Sequence, residues 1–119
     1  MSYLTSLAAL RSLQVPTPIA APFTGIVTRT GETYGLTLAD AGAYVKKTHS
    51  ANHILAIQLQ SVVAYSNDFT TIIRNESNFF LTLVFISGNV ATYPLGALTV
   101  APYESRTLVR QSTNNWNVL

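Results

Sequence analysis

Two histidines, five carboxylates and a large supply of hydroxyls are the groups in this 119-residue chain that could do chemistry. His49 and His53 stand four apart, a spacing that on a helix puts both imidazoles on one face, as a zinc site needs. Here Ser50-Ala51-Asn52 lies between them, the flanks read as loop and strand start, and no nearby carboxylate completes a ligand set. The expectation is locally bonded or solvated imidazoles and no metal. Nucleophilic catalysis needs a Ser or Thr in reach of one of these rings and an orienting acid, and no nucleophile-elbow glycine pattern surrounds any serine. A glycosidase-like carboxylate pair has only Glu32, Asp40, Asp68, Glu76 and Glu104 to draw on, each in a predicted turn, where acids are ordinary. P-loop and dinucleotide glycine patterns are missing. With no cysteine there is no thiolate nucleophile, disulfide or thiolate metal site. The chain reads as a non-enzyme, without metal or cofactor.

Charge narrows the partners. Seven Lys and Arg against five Asp and Glu leave a net charge of +2, despite a pI of about 9.2. Only Lys46-Lys47 are adjacent. Phosphate-tracking surfaces cluster their cations on one face, so no nucleic-acid partner is expected. The longest apolar run, Phe79 to Ile86, is broken by Thr82 and far short of a membrane-spanning helix. The first residues lack the basic leader and unbroken apolar core of a secretory signal. Both features predict a soluble protein made in a cytoplasm, with no membrane partner. Only 10% of residues are charged while 48% are apolar, a balance that suits a surface partly covered by other subunits.

The elements that would position any site are short strands. The length suits one domain. Residues 1–22 read as an arm: Leu4, Leu7, Leu10 and Leu13 sit near helical spacing, and Pro16, Pro18 and Pro22 impose an extended path after them. The four leucines, with Pro16 and Pro18, are the expected partner-binding residues. Residues 23–119 read as the body. Leu36 and Leu38 share one face of a strand, Ala39-Asp40-Ala41-Gly42 suits a tight turn, and Tyr44 and Lys46 lie opposite Val45, together predicting a hairpin. Leu55, Ile57 and Leu59 form a core face. Phe79 to Ser87 is apolar on both faces, as in a doubly buried strand. Further strands are expected at 24–30, 69–74, 90–93, 97–100, 105–110 and 116–119. Such spacing predicts an all-β fold, a single antiparallel β-sandwich or barrel-like domain with an N-terminal extended or short-helical arm. Tyr65, Tyr93 and Tyr103 lie beside turns, where they are candidate interface aromatics.

Several segments in order carry a resemblance. Leu-x-Leu-x-Asp-Ala-Gly-x-x-Val at Leu36 to Val45, the apolar strand Ile54 to Leu59, the Asn-rich closure of Phe69 to Asn78, Pro-x-Glu-Ser-x-x-Leu at Pro102 to Leu108 and the terminal Asn115-Trp116 resemble a small β-domain of tailed-bacteriophage virion proteins. The resemblance covers about residues 30–119, and the chain departs from it in having few glycines between Ile54 and Val90. It implies a non-enzymatic virion component assembled in the host cytoplasm: a capsid decoration (cement) protein, a homotrimer stabilising the shell of the major capsid protein. A tail-fibre or tail-tip subunit is the alternative it leaves. From the residues alone, a small carbohydrate-binding β-sandwich module also stands as an expectation.

Overall fold

The structure, a computed structural model, describes residues 25–119. The arm, with Leu4, Leu7, Leu10, Leu13, Pro16 and Pro18, and the start of the body at residue 23 lie outside the described residues. From Gly25 the chain runs β1 (Gly25–Arg29), β2 (Thr33–Gly35), a 3-10 turn at Leu38–Asp40, β3 (Ala43–Lys47), β4 (His53–Ile57), β5 (Thr70–Asn75), β6 (Leu81–Phe85), β7 (Val90–Thr92), β8 (Thr99–Val100), β9 (Ser105–Ser112) and β10 (Asn115–Val118).

These strands form two sheets. One runs β1-β3-β5-β9-β10-β7, the other β2-β4-β6-β8. Within the first, β1, β3 and β5 are parallel neighbours; within the second, β2, β4 and β6 are. The chain therefore alternates between sheets and returns one layer further on each time, which makes a β-solenoid of about three turns. Its last layer reverses: β9 lies antiparallel on β5, and β8 antiparallel on β6.

This arrangement corrects the expected sandwich or barrel. The hairpin around Ala39 to Gly42 does not form, because β2 and β3 belong to different sheets and β3 pairs parallel with β1, Gly25 beside Ala43 and Arg29 beside Lys47. Alternation along a strand says which side chains point inward and is the same whichever neighbour the strand finds. Gly42 takes a positive φ of 73°, as the turn composition suggested, and its N–H donates to Thr70 O in the next turn of the solenoid at 2.7 Å. The turn residues thus make a corner. Leu36 is buried there, whereas Leu38, expected on the same face, is 52% exposed on the 3-10 turn.

The interior is lined by the inward positions of successive layers. Leu36, Val45, Leu55, Ile57, Ile73, Leu81, Leu83, Val100, Leu108, Trp116 and Val118 are all buried in one cluster. The expected inward face at Leu55 and Ile57 is observed. The strand within 79–87 alternates rather than burying both faces: Leu81 and Leu83 point in, Thr82 points out, and Phe79 and Phe80 are exposed just ahead of it. Tyr65, Phe69 and Trp116 pack edge to face, with ring centroids 5.0 to 5.8 Å apart, the preferred geometry for aromatic quadrupoles.

Gly88 sits at φ +108°, and a Cβ there would lie 2.7 Å from Leu59 Cδ2. Gly88→Ala should therefore lose about 1–3 kcal/mol. Gly35→Ala, with open space around its Cβ, should change stability by less than about 0.5 kcal/mol. Urea midpoints of the two variants check this; equal values would contradict the backbone argument.

Candidate functional site

At the corner between the two sheets the inward positions turn polar. Ala43, Val45 and Lys47 share the inward parity of β3, as Thr71, Ile73 and Asn75 do in β5, and Lys47 lies beside Asn75 in the ladder. His53 opens β4, and Ser77 follows β5. All four side chains are buried.

The hydrogen bonds can be assigned by direction. Lys47 Nζ donates to Gly31 O at 2.5 Å and lies 2.9 Å from His53 Nδ1. Asn75 Nδ2 donates to Phe79 O at 2.6 Å and Val100 O at 2.9 Å. That fixes the amide so that Asn75 Oδ1 can only accept, and it accepts from Ser77 Oγ at 2.7 Å. His53 Nε2, 3.2 Å from the same oxygen and 3.1 Å from Ser77 Oγ, must therefore carry the ring proton, leaving Nδ1 to accept from the Lys47 ammonium.

That tautomer decides the chemistry. A serine–histidine pair is in place, yet the imidazole nitrogen facing Ser77 is already protonated, and the serine proton is committed to Asn75. A general base needs the reverse, with an acceptor on the far nitrogen. Here an ammonium stands where an orienting carboxylate would. Among the described residues no group of three or more His, Cys, Asp or Glu is placed to hold a metal. His49 lies at 6.0 Å from His53, ring to ring, without joining the network.

Burial pushes the Lys47 ammonium down from 10.5 to about 8. Burial also lowers His53 below its usual 6.5, with the Lys47 charge adding to the effect. No carboxylate offsets either. The corner is a hydrogen-bonded buttress joining the Gly31 turn, β3, β4, the 75–79 turn and β8.

A second buried polar group ties the first layer to the second. The fully buried Asp40 accepts from Arg29 Nη2 at 2.9 Å and Nε at 3.2 Å, Tyr34 Oη at 2.7 Å and Thr37 N at 3.0 Å. Arg29 is raised, first by its bond to Asp40. Tyr34 is raised, first by burial and then by the same carboxylate. Of the five turn acids, this one has a structural role that sequence spacing did not disclose.

The interface aromatics divide. Tyr65 is only 2% exposed, so it is no surface contact: its hydroxyl donates to Leu36 O at 3.0 Å and accepts from Gln58 N at 3.1 Å. Tyr93 and Tyr103 are exposed, at 46% and 48%. Tyr103 Oη donates to Asn78 Oδ1 at 3.2 Å, and Arg74 lies over its ring at 5.7 Å. Phe79 and Phe80, also exposed, follow Asn78 directly in the chain. The missed residues, Lys47 and Asn75, carried one readable signal, a polar side chain continuing the apolar parity of its strand.

Neither a protein-family model nor a curated protein sequence matches this chain. The class its fold defines is the β-solenoid.

The two buried bases set a pH dependence. Between the lowered His53 value and 6.5 the unfolded chain binds the extra proton, so stability falls as pH drops through 6.5. Between about 8 and 10.5 the unfolded chain again binds more, through Lys47, so stability rises with pH across that window. The full alkaline gain is at most roughly 3 kcal/mol, opposed near pH 10 by the raised phenols of Tyr34 and Tyr65. Lys47→Met should abolish the rise between pH 8 and 10 in urea-unfolding curves; a rise that persists would place its origin elsewhere. Asp40→Asn should lower stability by about 3 kcal/mol, read as a fall in urea midpoint with unchanged slope.

Proposed function

We propose that this chain is a non-enzymatic structural protein of a tailed-bacteriophage virion, a decoration protein that binds the head shell as an oligomer. The observation that carries a binding role is the strand edges at both ends of the solenoid that no described strand covers: β1 and β2 at the first layer, with Ile26 67% exposed, and β7 and β8 at the last, with Val90 59% exposed. Unpaired strand edges are templates for other chains. The internally committed Ser77–His53 pair supports assembly over turnover, and the resemblance carried by the ordered motifs from Leu36 to Trp116 supports a virion address. Binding only the assembled lattice would stabilise it by linkage.

A tail-fibre or tail-tip subunit is the second reading. It is favoured by the β1 and β2 edges, which no described strand covers, since parallel layers can continue directly into a neighbouring β-structure. Quantitative mass spectrometry of purified particles separates the two. A copy number comparable with that of the major capsid protein is expected for decoration. A few dozen copies or fewer would move the chain to the tail, and its absence from particles would overturn the virion reading.

A further inference from the structure

Arg110 is a buried cation whose counter-charge this chain does not supply. It lies on β9, points inward with Leu108, sits beside Trp116 in the ladder and is 6% exposed. Its Nη1 donates to Tyr65 O at 3.3 Å, Ser66 O at 3.1 Å and Asn67 Oδ1 at 3.3 Å, all of them neutral acceptors. Its Nε is buried with no partner, and Nη2 makes no hydrogen bond among the described residues. Nε and Nη2 form the edge of the guanidinium that grips carboxylates. Arg29 uses that same edge on Asp40.

A guanidinium stays charged, and buried charges are held with a counter-charge. The side-chain carboxylates can be accounted for completely, because all five lie within residues 25–119. Asp40, Glu76 and Glu104 pair with Arg29, Arg74 and Arg106. Glu32 and Asp68 are exposed and make no ion pair among the described residues. Gln60 Oε1, also buried without a donor, belongs to a side chain whose Nε2 shares Tyr65 O with Arg110. A water between Gln60 and Arg110 would satisfy both orphaned atoms but leave the charge uncompensated.

We propose that Arg110 is the receiving site for a carboxylate from outside the chain, held by its Nε and Nη2. The 58–69 segment between β4 and β5 forms the wall of the seat. This wall is pinned to Arg110 through the Tyr65 and Ser66 carbonyls, while residues 61, 62, 64 and 66–68 face solvent, so it is the side from which a carboxylate enters. The source is either a free small acid or an acidic side chain of a second copy.

Formate, the smallest carboxylate, is the probe. Titrated into the full chain against chloride at equal ionic strength, it should move the Arg110 Nε–H resonance saturably. It should also raise Tm by about 5 °C at tenfold excess over Kd. Arg110→Lys, which keeps the charge but removes the fork, should lose the saturable rise; if that variant fails to fold, the resonance of the unaltered chain still reports. Asp68→Asn should leave the formate response in place. A Nε–H already in its bonded position without formate, and released on dilution, supports the site with a second copy as donor. A resonance indifferent to formate and to dilution means a bridging water only and overturns the proposal. So does a bonded signal that is unchanged by dilution and disappears in Asp68→Asn.

Discussion

The corner where the chain leaves one sheet for the other is the constraint on which this solenoid depends. Inside a sheet each backbone group is paired by the neighbouring strand, but at a corner the ladder stops and the carbonyls need other donors. Gly31 O, Phe79 O and the buried Val100 O are served by Lys47 Nζ and Asn75 Nδ2. Side chains take over where the sheet ends. The arrangement brings a desolvated ammonium into the interior with no carboxylate beside it, which is tolerable only because its bonds to Gly31 O and His53 Nδ1 are short and directed. The same network puts the ring proton of His53 on the nitrogen facing Ser77, so one set of bonds explains both the continuity of the layers and the tautomer of the Ser77–His53 pair.

Strand positions were legible in the sequence and strand partners were not. The expected segments near 24–30, 69–74, 105–110 and 116–119 coincide closely with β1, β5, β9 and β10, because alternation depends only on which side of the strand is buried. Pairing depends on what lies between strands, and there the chain is irregular: 18 residues separate Gly25 from its partner Ala43, and 28 separate Tyr44 from Ile72. Unequal layers carry no fixed repeat, so Ala39 to Gly42 reads as a hairpin turn although it serves a corner. The doubly apolar run at 79–86 misled for a related reason. Its first two phenylalanines belong to an outer corner, ahead of the strand, where parity does not bury them.

The polar interior was the least legible part. Asp40 looked like an ordinary turn acid, yet it gathers Arg29, Tyr34 and Thr37 from separate segments. Tyr65 looked like a surface aromatic, yet its hydroxyl bridges Leu36 and Gln58 inside the core. In each case the residue's role comes from partners up to 29 positions away, which local pattern does not report. Arg110 is the extreme case, since its contacts with residues 65–67 are 43 to 45 positions distant. Read together, these residues describe a fold whose layers are tied by buried polar bonds as well as by apolar packing.

The reversal of β8 and β9 also sets the polarity that each end of the body presents. Followed through its pairings, β7 runs in the sense of β1, whereas β8 runs against β2. In the vocabulary of polymer chemistry the two ends are unlike: the edges of β1 and β2 match a uniformly parallel coil, while a layer laid beside β7 and β8 in that same sense would run parallel to one strand and antiparallel to the other.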